Sequence, residues 1–158
     1  MNHAKTNALR LLEAEAITFA PFEYDVSDDR IDAVSVAEKL GAPPEQVFKT
    51  LVTVSPDKEY FVFIIPGDAE LDLKKAARAA GKKSIEMIKA KELLPLTGYV
   101  HGGCSPVGMK KLLPTRIDET AILFERIFVS GGRIGLNLAI SPEDLAGFIN
   151  AEFADLAK

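Results

Sequence analysis

The sequence predicts a mixed α/β fold, a single domain whose curled, mainly antiparallel and barrel-like sheet is flanked by helices. Its 158 residues are about one domain in length, and 47% apolar with 27% charged residues is the balance of a globular protein. Strand-like and helix-like stretches are mixed along the chain, with no linker, low-complexity run or internal repeat. Two strongly apolar stretches flank a short turn, which predicts an antiparallel sheet centre. We therefore expect one domain over residues 1–158.

The N-terminal third predicts two helices and a strand. Apolar residues recur three or four positions apart over residues 6–15, as one buried helical face requires. Residues 17–25 (ITFAPFEYD) are rich in Ile, Phe and Tyr and predict a strand. Ser35 and Glu38 have the spacing of a capping box, so we expect a second helix to begin there and to stop at Gly41.

The middle of the chain predicts the centre of the sheet. Residues 48–55 (FKTLVTVS) and 60–66 (YFVFIIP) are apolar at most positions and form a predicted hairpin. Asp72 is placed to cap a helix that ends at Gly81. Residues 84–88 (SIEMI) predict another strand.

The C-terminal half alternates short elements. A short helix is expected to stop at Pro95. Residues 115–118 and 126–130 predict strands, the second closed by a hairpin turn at Gly131-Gly132. Ser141, followed by a proline and two acids, predicts the start of a last helix.

Composition narrows the classes of function. The net charge of −4 argues against a DNA-coating protein, and no apolar run reaches the ~20 residues that cross a bilayer. The N-terminus has a helical rather than a signal-peptide pattern, and one cysteine forms no internal disulfide, so we expect a cytoplasmic protein. Two histidines and one cysteine without ligand spacing predict no metal site, and nothing demands a cofactor.

Basic residues nonetheless cluster in the predicted third helix and just after it. Such a cluster can contact phosphates locally, although from charge alone a solvated helix face is the more common explanation. The residues concerned are Lys74, Lys75, Arg78, Lys82 and Lys83. Lys110 and Lys111 follow the glycine-rich stretch and are further candidates for phosphate contacts.

Lys49 is unusual because it lies within an apolar, apparently central strand. Nucleotide hydrolysis and dinucleotide redox chemistry have no support, since the chain lacks the P-loop, GxGxxG and GxSxG patterns. A buried ammonium is unfavourable unless it meets an anion or strong acceptors. Either the charge reaches water at the strand end, or Lys49 lines a pocket for an anionic or carbonyl-bearing ligand.

Residues 98–114 (GYVHGGCSPVGMKKLLP) form the second candidate region. Gly102, Gly103 and Ser105 would let a ligand approach the backbone, whose N–H groups can stabilise an oxyanion. The alternative for this region is an ordinary turn. The same alternative holds for Ser130, which precedes the second glycine pair, Gly131-Gly132. Cys104 has no base in its sequence context, so we expect it to pack rather than react.

Taken together, these motifs resemble the YbaK/EbsC family of free-standing aminoacyl-tRNA deacylases. The resemblance covers essentially the whole chain and is carried by FKTL at 48–51, GGCSPVGMKK at 102–111 and VSGGRIGLNL at 129–138. It implies the fold of the editing domain inserted in bacterial prolyl-tRNA synthetases. It also implies hydrolysis of mischarged Cys-tRNA(Pro), with Cys-tRNA(Cys) as a further substrate. Cys-tRNA(Pro) arises because the proline-sized pocket of prolyl-tRNA synthetase cannot strongly exclude cysteine.

The resemblance also implies roles for individual residues. Lys49 matches the essential lysine of the family, Gly102 and Ser130 complete the catalytic set, and the substrate's own thiol is implied to attack its ester. The implied substrate-binding residues are Tyr24, Gly103, Ser105 and Asn137. Asn137 stands where many relatives carry an aspartate.

Two other functions stay open at this point. One is a deacylase for tRNA mischarged with alanine or serine, and the other is a non-catalytic module that binds tRNA or a synthetase. For the editing function the expected partners are the 3′ end of a mischarged tRNA and prolyl-tRNA synthetase in a ternary complex, with the basic cluster facing the acceptor stem. A membrane partner is not expected.

Overall fold

The computed structural model describes residues 5–158, and in that part of the chain it contains five α-helices and eight β-strands. The helices are α1 (Asn7–Ala14), α2 (Ala33–Leu40), α3 (Leu73–Ala80), α4 (Ala90–Thr97) and α5 (Pro142–Ile149). The strands are β1 (Phe19–Glu23), β2 (Phe48–Val54), β3 (Tyr60–Pro66), β4 (Glu86–Met87), β5 (Thr115–Asp118), β6 (Ile127–Arg133), β7 (Leu136–Ile140) and β8 (Glu152–Ala154). None of the helices described is long and apolar enough to span a membrane.

The strands form two sheets rather than one closed barrel. One sheet has the order β4-β2-β3-β5-β8 and the other β1-β7-β6. The pairs β3–β5 and β5–β8 are parallel, and the other four pairs are antiparallel. A single bridge between Val47 and Phe128 joins the two sheets. The mixed α/β class and mainly antiparallel pairing are as predicted, but the barrel-like closure is wrong, because the sheets separate beyond this bridge.

The larger core lies between the two sheets and is closed by α1 and α5. It contains Val52 and Ile64 from the first sheet and Val129 and Leu138 from the second, all buried. On the other face of the first sheet, the side chains of β3 pack against α3 in a smaller cluster. Alternate residues of β2 and β3 therefore face two different cores, which explains why apolar residues occur on both faces of these strands.

Several predicted element ends are confirmed. Thr6 caps α1, Asp72 caps α3 through the backbone N–H groups of Lys74 and Lys75, and Ser141 caps α5. Gly41 ends α2 with a left-handed backbone.

The predicted start of α2 is wrong by three residues. Asp32 is the N-cap, and its carboxylate accepts hydrogen bonds from the backbone N–H and the hydroxyl of Ser35. Aspartate is as good an N-cap as serine, so the helix begins one turn earlier than the capping-box pattern indicates.

Two predicted breaks are also wrong. Helix α4 continues through Pro95 and is capped by Gly98, because the proline removes only one intrahelical hydrogen bond. The Thr97 hydroxyl donates to the carbonyl of Leu93, and the backbone N–H of Gly98 donates to the carbonyl of Leu94, so the last turn is closed. Gly131 and Gly132 lie inside β6, where the register shifts between Ser130 and Arg133. The hairpin turn comes three residues later, at Ile134-Gly135, so the glycine pair forms a bulge.

Candidate active site

A cleft of roughly 310 Å³ opens where the two sheets diverge. The bridge at Val47 holds β6 against the start of β2, whereas β4 pairs only with Thr53 and Val54. The backbone N–H of Ile88 also donates to the carbonyl of Val52. Among residues 5–158, positions 48–51 of β2 therefore have no strand partner on this edge. The cleft occupies the gap, and its other walls are the start of α2, the loop at 101–104 and strands β6 and β7.

Lys49 lines this cleft from the open edge of β2. Its ammonium donates to the carbonyl oxygen of Gly67 at 3.3 Å. Partial burial lowers the pKa of Lys49, and the nearby carboxylates of Glu70 and Asp68 oppose that shift. Lys49 is thus a half-buried cation whose single hydrogen bond in the described chain is long, so its remaining donor capacity can serve a ligand.

Ser130 and Asn137 lie on the opposite wall, paired across the β6–β7 ladder. The Ser130 hydroxyl accepts a hydrogen bond from the backbone N–H of Gly132 at 3.2 Å, so the bulge fixes its position. Asn137 is only 6% exposed although its side chain is an amide. The second sheet thereby presents two polar groups toward Lys49 across the cleft.

Tyr24 and Ile31 form the outer wall, at the two ends of an acidic loop. Lys39 of α2 holds this loop through hydrogen bonds to the backbone carbonyls of Asp25 (2.6 Å) and Arg30 (2.8 Å) and to the carboxylate of Asp28 (2.8 Å). The same ammonium lies 5.9 Å from the centre of the Tyr24 ring. One lysine therefore fixes the loop that carries this wall of the cleft.

His101, Gly102 and Cys104 bring the glycine-rich loop to the cleft. Gly102 has φ +86°, which favours glycine. Burial raises the pKa of Cys104 to about 11, so its thiol is neutral at physiological pH. A neutral buried thiol is a poor nucleophile, which agrees with the expectation that Cys104 packs.

The structure does not bring Gly103 and Ser105 into the cleft. A Cβ atom on Gly103 would lie 2.9 Å from the backbone nitrogen of Ile134, so this glycine allows the loop to pack against the β6–β7 turn. Ser105 is fully buried, and its hydroxyl accepts a hydrogen bond from the backbone N–H of Val107. Both therefore support the loop, and their predicted contact with substrate has no basis in this geometry.

The basic cluster is partly neutralised within the chain. Lys75 pairs with Asp155 at 3.0 Å, and Lys82 pairs with Asp57 at 2.9 Å and Glu59 at 3.0 Å. Lys74, Arg78 and Lys83 form no ion pair in the described part of the chain. Lys110 donates to the carbonyl of Pro95, and Lys111 lines a separate surface cavity beside α5.

Thr50 is a polar cleft residue that the sequence analysis did not identify as a candidate. It lies next to Lys49 on β2, and its hydroxyl oxygen is buried without a hydrogen-bond partner. A threonine in an apolar strand is ordinary in sequence, so only the three-dimensional structure reveals it. Among residues 5–158, no group of three or more His, Cys, Asp or Glu side chains is placed to hold a metal ion.

The fold and cleft define a mixed α/β domain with a small-ligand pocket built around a lysine, a serine and a glycine-rich loop. Residues 29–148 match the aminoacyl-tRNA editing domain family, and the chain belongs to that family. It is 44% identical to EbsC of Enterococcus faecalis, named as a candidate Cys-tRNA(Pro)/Cys-tRNA(Cys) deacylase, over 96% of this chain and 93% of that protein.

Two further comparisons extend the relationship. The proline–tRNA ligase of Thermosipho africanus is 33% identical over 61% of this chain, a segment that makes up 17% of the ligase. A crystal structure described as a candidate trans-editing enzyme for prolyl-tRNA synthetase superposes with a TM-score of 0.84 at 28% identity, covering 98% of this chain and 99% of the other. The same domain thus occurs both as a short protein and as part of a synthetase.

Proposed function

We propose that this protein hydrolyses the ester bond of Cys-tRNA(Pro), and also of Cys-tRNA(Cys), as a free-standing editing deacylase. The observation that carries the proposal is the meeting of Lys49, Gly102, Ser130 and Tyr24 in one cleft, although they lie far apart in sequence. The family and the 44% identity to EbsC support the same substrate class. We place the activity in the cytoplasm, where aminoacyl-tRNA is made and used.

The cleft suits the aminoacyl end of a tRNA. A volume of roughly 310 Å³ is at the small end of ligand pockets and accommodates an amino acid with part of the terminal ribose. Lys49 offers a cation to the ester or the neighbouring phosphate, and the Ser130 hydroxyl can donate to the ester oxygen. These residues orient and polarise the ester without forming a bond to it.

We propose that the substrate supplies the nucleophile. The cysteinyl sulfur attacks its own ester carbonyl, the bond to the ribose oxygen breaks, and the thiol proton ends on that oxygen. The products are deacylated tRNA and a four-membered thiolactone, which water opens to cysteine. The neutral Cys104 thiol supports this scheme, and no hydrogen bond joins Ser130 to His101, so the described cleft contains no activated serine.

We further propose that the tRNA is presented by prolyl-tRNA synthetase in a ternary complex. An acidic protein, in which only three cations on and beside α3 lack an ion pair within residues 5–158, binds RNA weakly by itself, since phosphate contacts dominate such binding. A synthetase that already holds the tRNA would supply the missing affinity.

The first test is deacylation of labelled Cys-tRNA(Pro) beside Ala-tRNA(Pro), Pro-tRNA(Pro) and Cys-tRNA(Cys). We expect rapid loss of cysteine from both cysteinyl substrates and a decrease of at least about 100-fold in Lys49→Ala, the scale of one lost electrostatic contact to the transition state. Lys58→Asn is the matched control: it removes an exposed lysine at the far end of the same hairpin and suits its left-handed backbone.

The outcomes separate the candidate functions. Preference for Ala-tRNA(Pro) would make the protein an editor of a different amino acid, and no hydrolysis of any ester would leave a binding module. 2-Aminobutyryl-tRNA(Pro) tests the nucleophile, because a methyl group replaces the thiol at nearly the same size. Its rapid hydrolysis would contradict substrate-thiol attack.

A further inference from the structure

Two buried side-chain oxygens in residues 5–158 have no hydrogen-bond partner, and both belong to residues that line the cleft. They are Thr50 Oγ1 and Asn137 Oδ1. Most buried polar groups in folded proteins are paired, and an unpaired one is destabilising. Because both unpaired oxygens occur at one cleft, from two different sheets, we attribute them to the binding of a ligand in this cleft.

The strands explain why these two oxygens lack partners. The hydroxyl of Thr53, on the same strand as Thr50, donates to the carbonyl of Phe61 at 2.9 Å. A buried threonine of β2 can therefore form a hydrogen bond within the protein. Thr50 lies on the part of β2 that faces the cleft. Asn137 is on the central strand of the three-stranded sheet, between Phe22 and Ser130. Its side chain therefore reaches the cleft from the middle of that sheet.

The chemistry of the two atoms restricts the ligand group. An amide oxygen only accepts hydrogen bonds, and a threonine hydroxyl can accept as well as donate. Where both oxygens accept, the complementary group carries at least two hydrogens that it can donate. In an aminoacyl ester the α-amino group meets this requirement, whereas the ribose 2′-hydroxyl has one such hydrogen and a thiol is a weak donor.

We propose that Thr50 and Asn137 bind the α-amino group of the aminoacyl ester, an inference that rests on the proposed function. The Lys49 ammonium on the adjacent residue disfavours a second cation, so the amine binds in its neutral form, which an amine with a pKa near 8 supplies readily. Both oxygens are covered in the free cleft. Rotation about χ1 of Thr50 or χ2 of Asn137 turns them to the substrate without moving the backbone.

The test compares two esters that differ only in the amine. Cys-tRNA(Pro) carries it, and 3-mercaptopropionyl-tRNA(Pro) keeps the thiol but lacks it. Thr50→Val should lower kcat/KM about tenfold on the first ester, as loss of one hydrogen bond predicts, and leave the second unchanged. Thr50→Ser keeps a hydroxyl and should retain most activity on both. Thr53→Val, on the same strand but outside the cleft, is the matched control and should not distinguish the esters.

Stability gives an independent measurement with the opposite sign. Thr50→Val removes an unpaired buried hydroxyl at nearly constant volume, so it should keep or raise Tm, whereas Thr53→Val removes a made hydrogen bond and should lower Tm. A fall in Tm for Thr50→Val would indicate a structural role and would overturn the proposal.

The remaining outcomes are equally decisive. An equal loss of activity on both esters would assign Thr50 to the ribose or the carbonyl and reject amine binding. If the wild-type protein hydrolyses neither ester, the proposed function itself fails, and amine binding fails with it. Activity on Cys-tRNA(Pro) with no effect of Thr50→Val rejects only the role of Thr50 and leaves the deacylase intact.

Discussion

The two glycines at 102 and 103 serve different purposes despite being neighbours. Gly102 lines the cleft with a left-handed backbone, whereas Gly103 lies against the backbone of the β6–β7 turn. Glycine is permissive both for unusual φ and for close approach, and a sequence does not indicate which of the two is needed. Spatial neighbours distant in the chain decide it.

Gly103→Ala should therefore destabilise the fold rather than block substrate. The added Cβ would lie 2.9 to 3.1 Å from backbone atoms of Arg133 and Ile134, which cannot rotate away. Overpacking of this kind costs about 1–3 kcal/mol, and Tm should fall by about 2–12 °C. Thermal unfolding measures it, with Gly147→Ala as the control because a Cβ there meets nothing within 4 Å. A stable but inactive Gly103→Ala would instead return Gly103 to the substrate site.

Cys104 should be nearly inert to thiol reagents in the native protein. Burial raises the pKa of its thiol to about 11, so little thiolate exists at pH 8. We expect reaction with Ellman's reagent to be at least about 100-fold slower than in urea-unfolded protein. Because the folded-state pKa is the higher one, Cys104 favours folding below pH 9, and this contribution is lost as pH rises to about 11. Rapid native labelling at pH 8 would contradict the assigned environment.

Sequence reasoning located much of the candidate site at the residue scale. Lys49 was conspicuous because a charge within an apolar strand demands an explanation, and the resemblance added Tyr24, Ser130 and Asn137. All four line the cleft. Thr50 was missed because its peculiarity is an unmade hydrogen bond, which depends on what surrounds the hydroxyl and leaves no sequence signal.

At the scale of elements, local sequence patterns predicted whether a segment is a helix or a strand better than they predicted where it begins and ends. Capping aspartates and left-handed glycines act through adjacent residues, so Asp72 and Gly41 could be predicted. The interpretation of Pro95 failed because Lys110, distant in the chain, donates hydrogen bonds to the carbonyls of Pro95 and Thr97 in the last turn of α4. The interpretation of Gly131-Gly132 failed because pairing with β7 turns the glycine pair into a bulge. Such outcomes depend on contacts that the local pattern does not contain.

The acidic loop between β1 and α2 should depend on Lys39 for its position. Lys39→Met removes three hydrogen bonds to residues 25–30, one of which lowers the pKa of Asp28. The wall formed by Tyr24 and Ile31 should loosen, raising KM about 5- to 10-fold with a smaller change in kcat. Amide hydrogen exchange should also accelerate in residues 25–31.

A control separates this role from general loss of charge. Arg30→Met removes a cation from the same loop, but Arg30 contacts Glu38 at only 3.5 Å and both side chains are largely exposed. We expect no change in KM or exchange, because exposed ion pairs contribute little. Equal effects of both variants would show that net charge, and not the Lys39 contacts, governs the loop.

At the scale of the whole molecule, the fold class was predictable but the separation of the sheets was not. Alternating apolar patterns define strands and the short turn defines the central hairpin. In residues 5–158 the one β-bridge between the two sheets is Val47–Phe128, which joins residues 81 positions apart (128 − 47). The cleft exists because of that non-local geometry, so its shape could not be derived from local patterns. The extent of the domain over residues 1–158 stays a prediction.

The distribution of charge leads to a prediction about RNA binding. Of the five cations in the basic cluster, Lys75 and Lys82 pair with acids of the chain, whereas Lys74, Arg78 and Lys83 have no ion pair in residues 5–158. Only unpaired cations are fully available to phosphates, and their contact with phosphates releases the counterions that the RNA holds. Lys74→Gln combined with Lys83→Gln should therefore lower kcat/KM for Cys-tRNA(Pro) at low salt.

The decisive quantity is the slope of log kcat/KM against log salt concentration. Each lost phosphate contact should reduce its magnitude by roughly one unit, so the double variant should differ from wild type by up to about two. Lys82→Gln is the control: it leaves Asp57 and Glu59 without their cation and should change stability more than slope. If the double variant keeps the wild-type slope, α3 does not face the tRNA, and the acceptor stem must approach the cleft from another side.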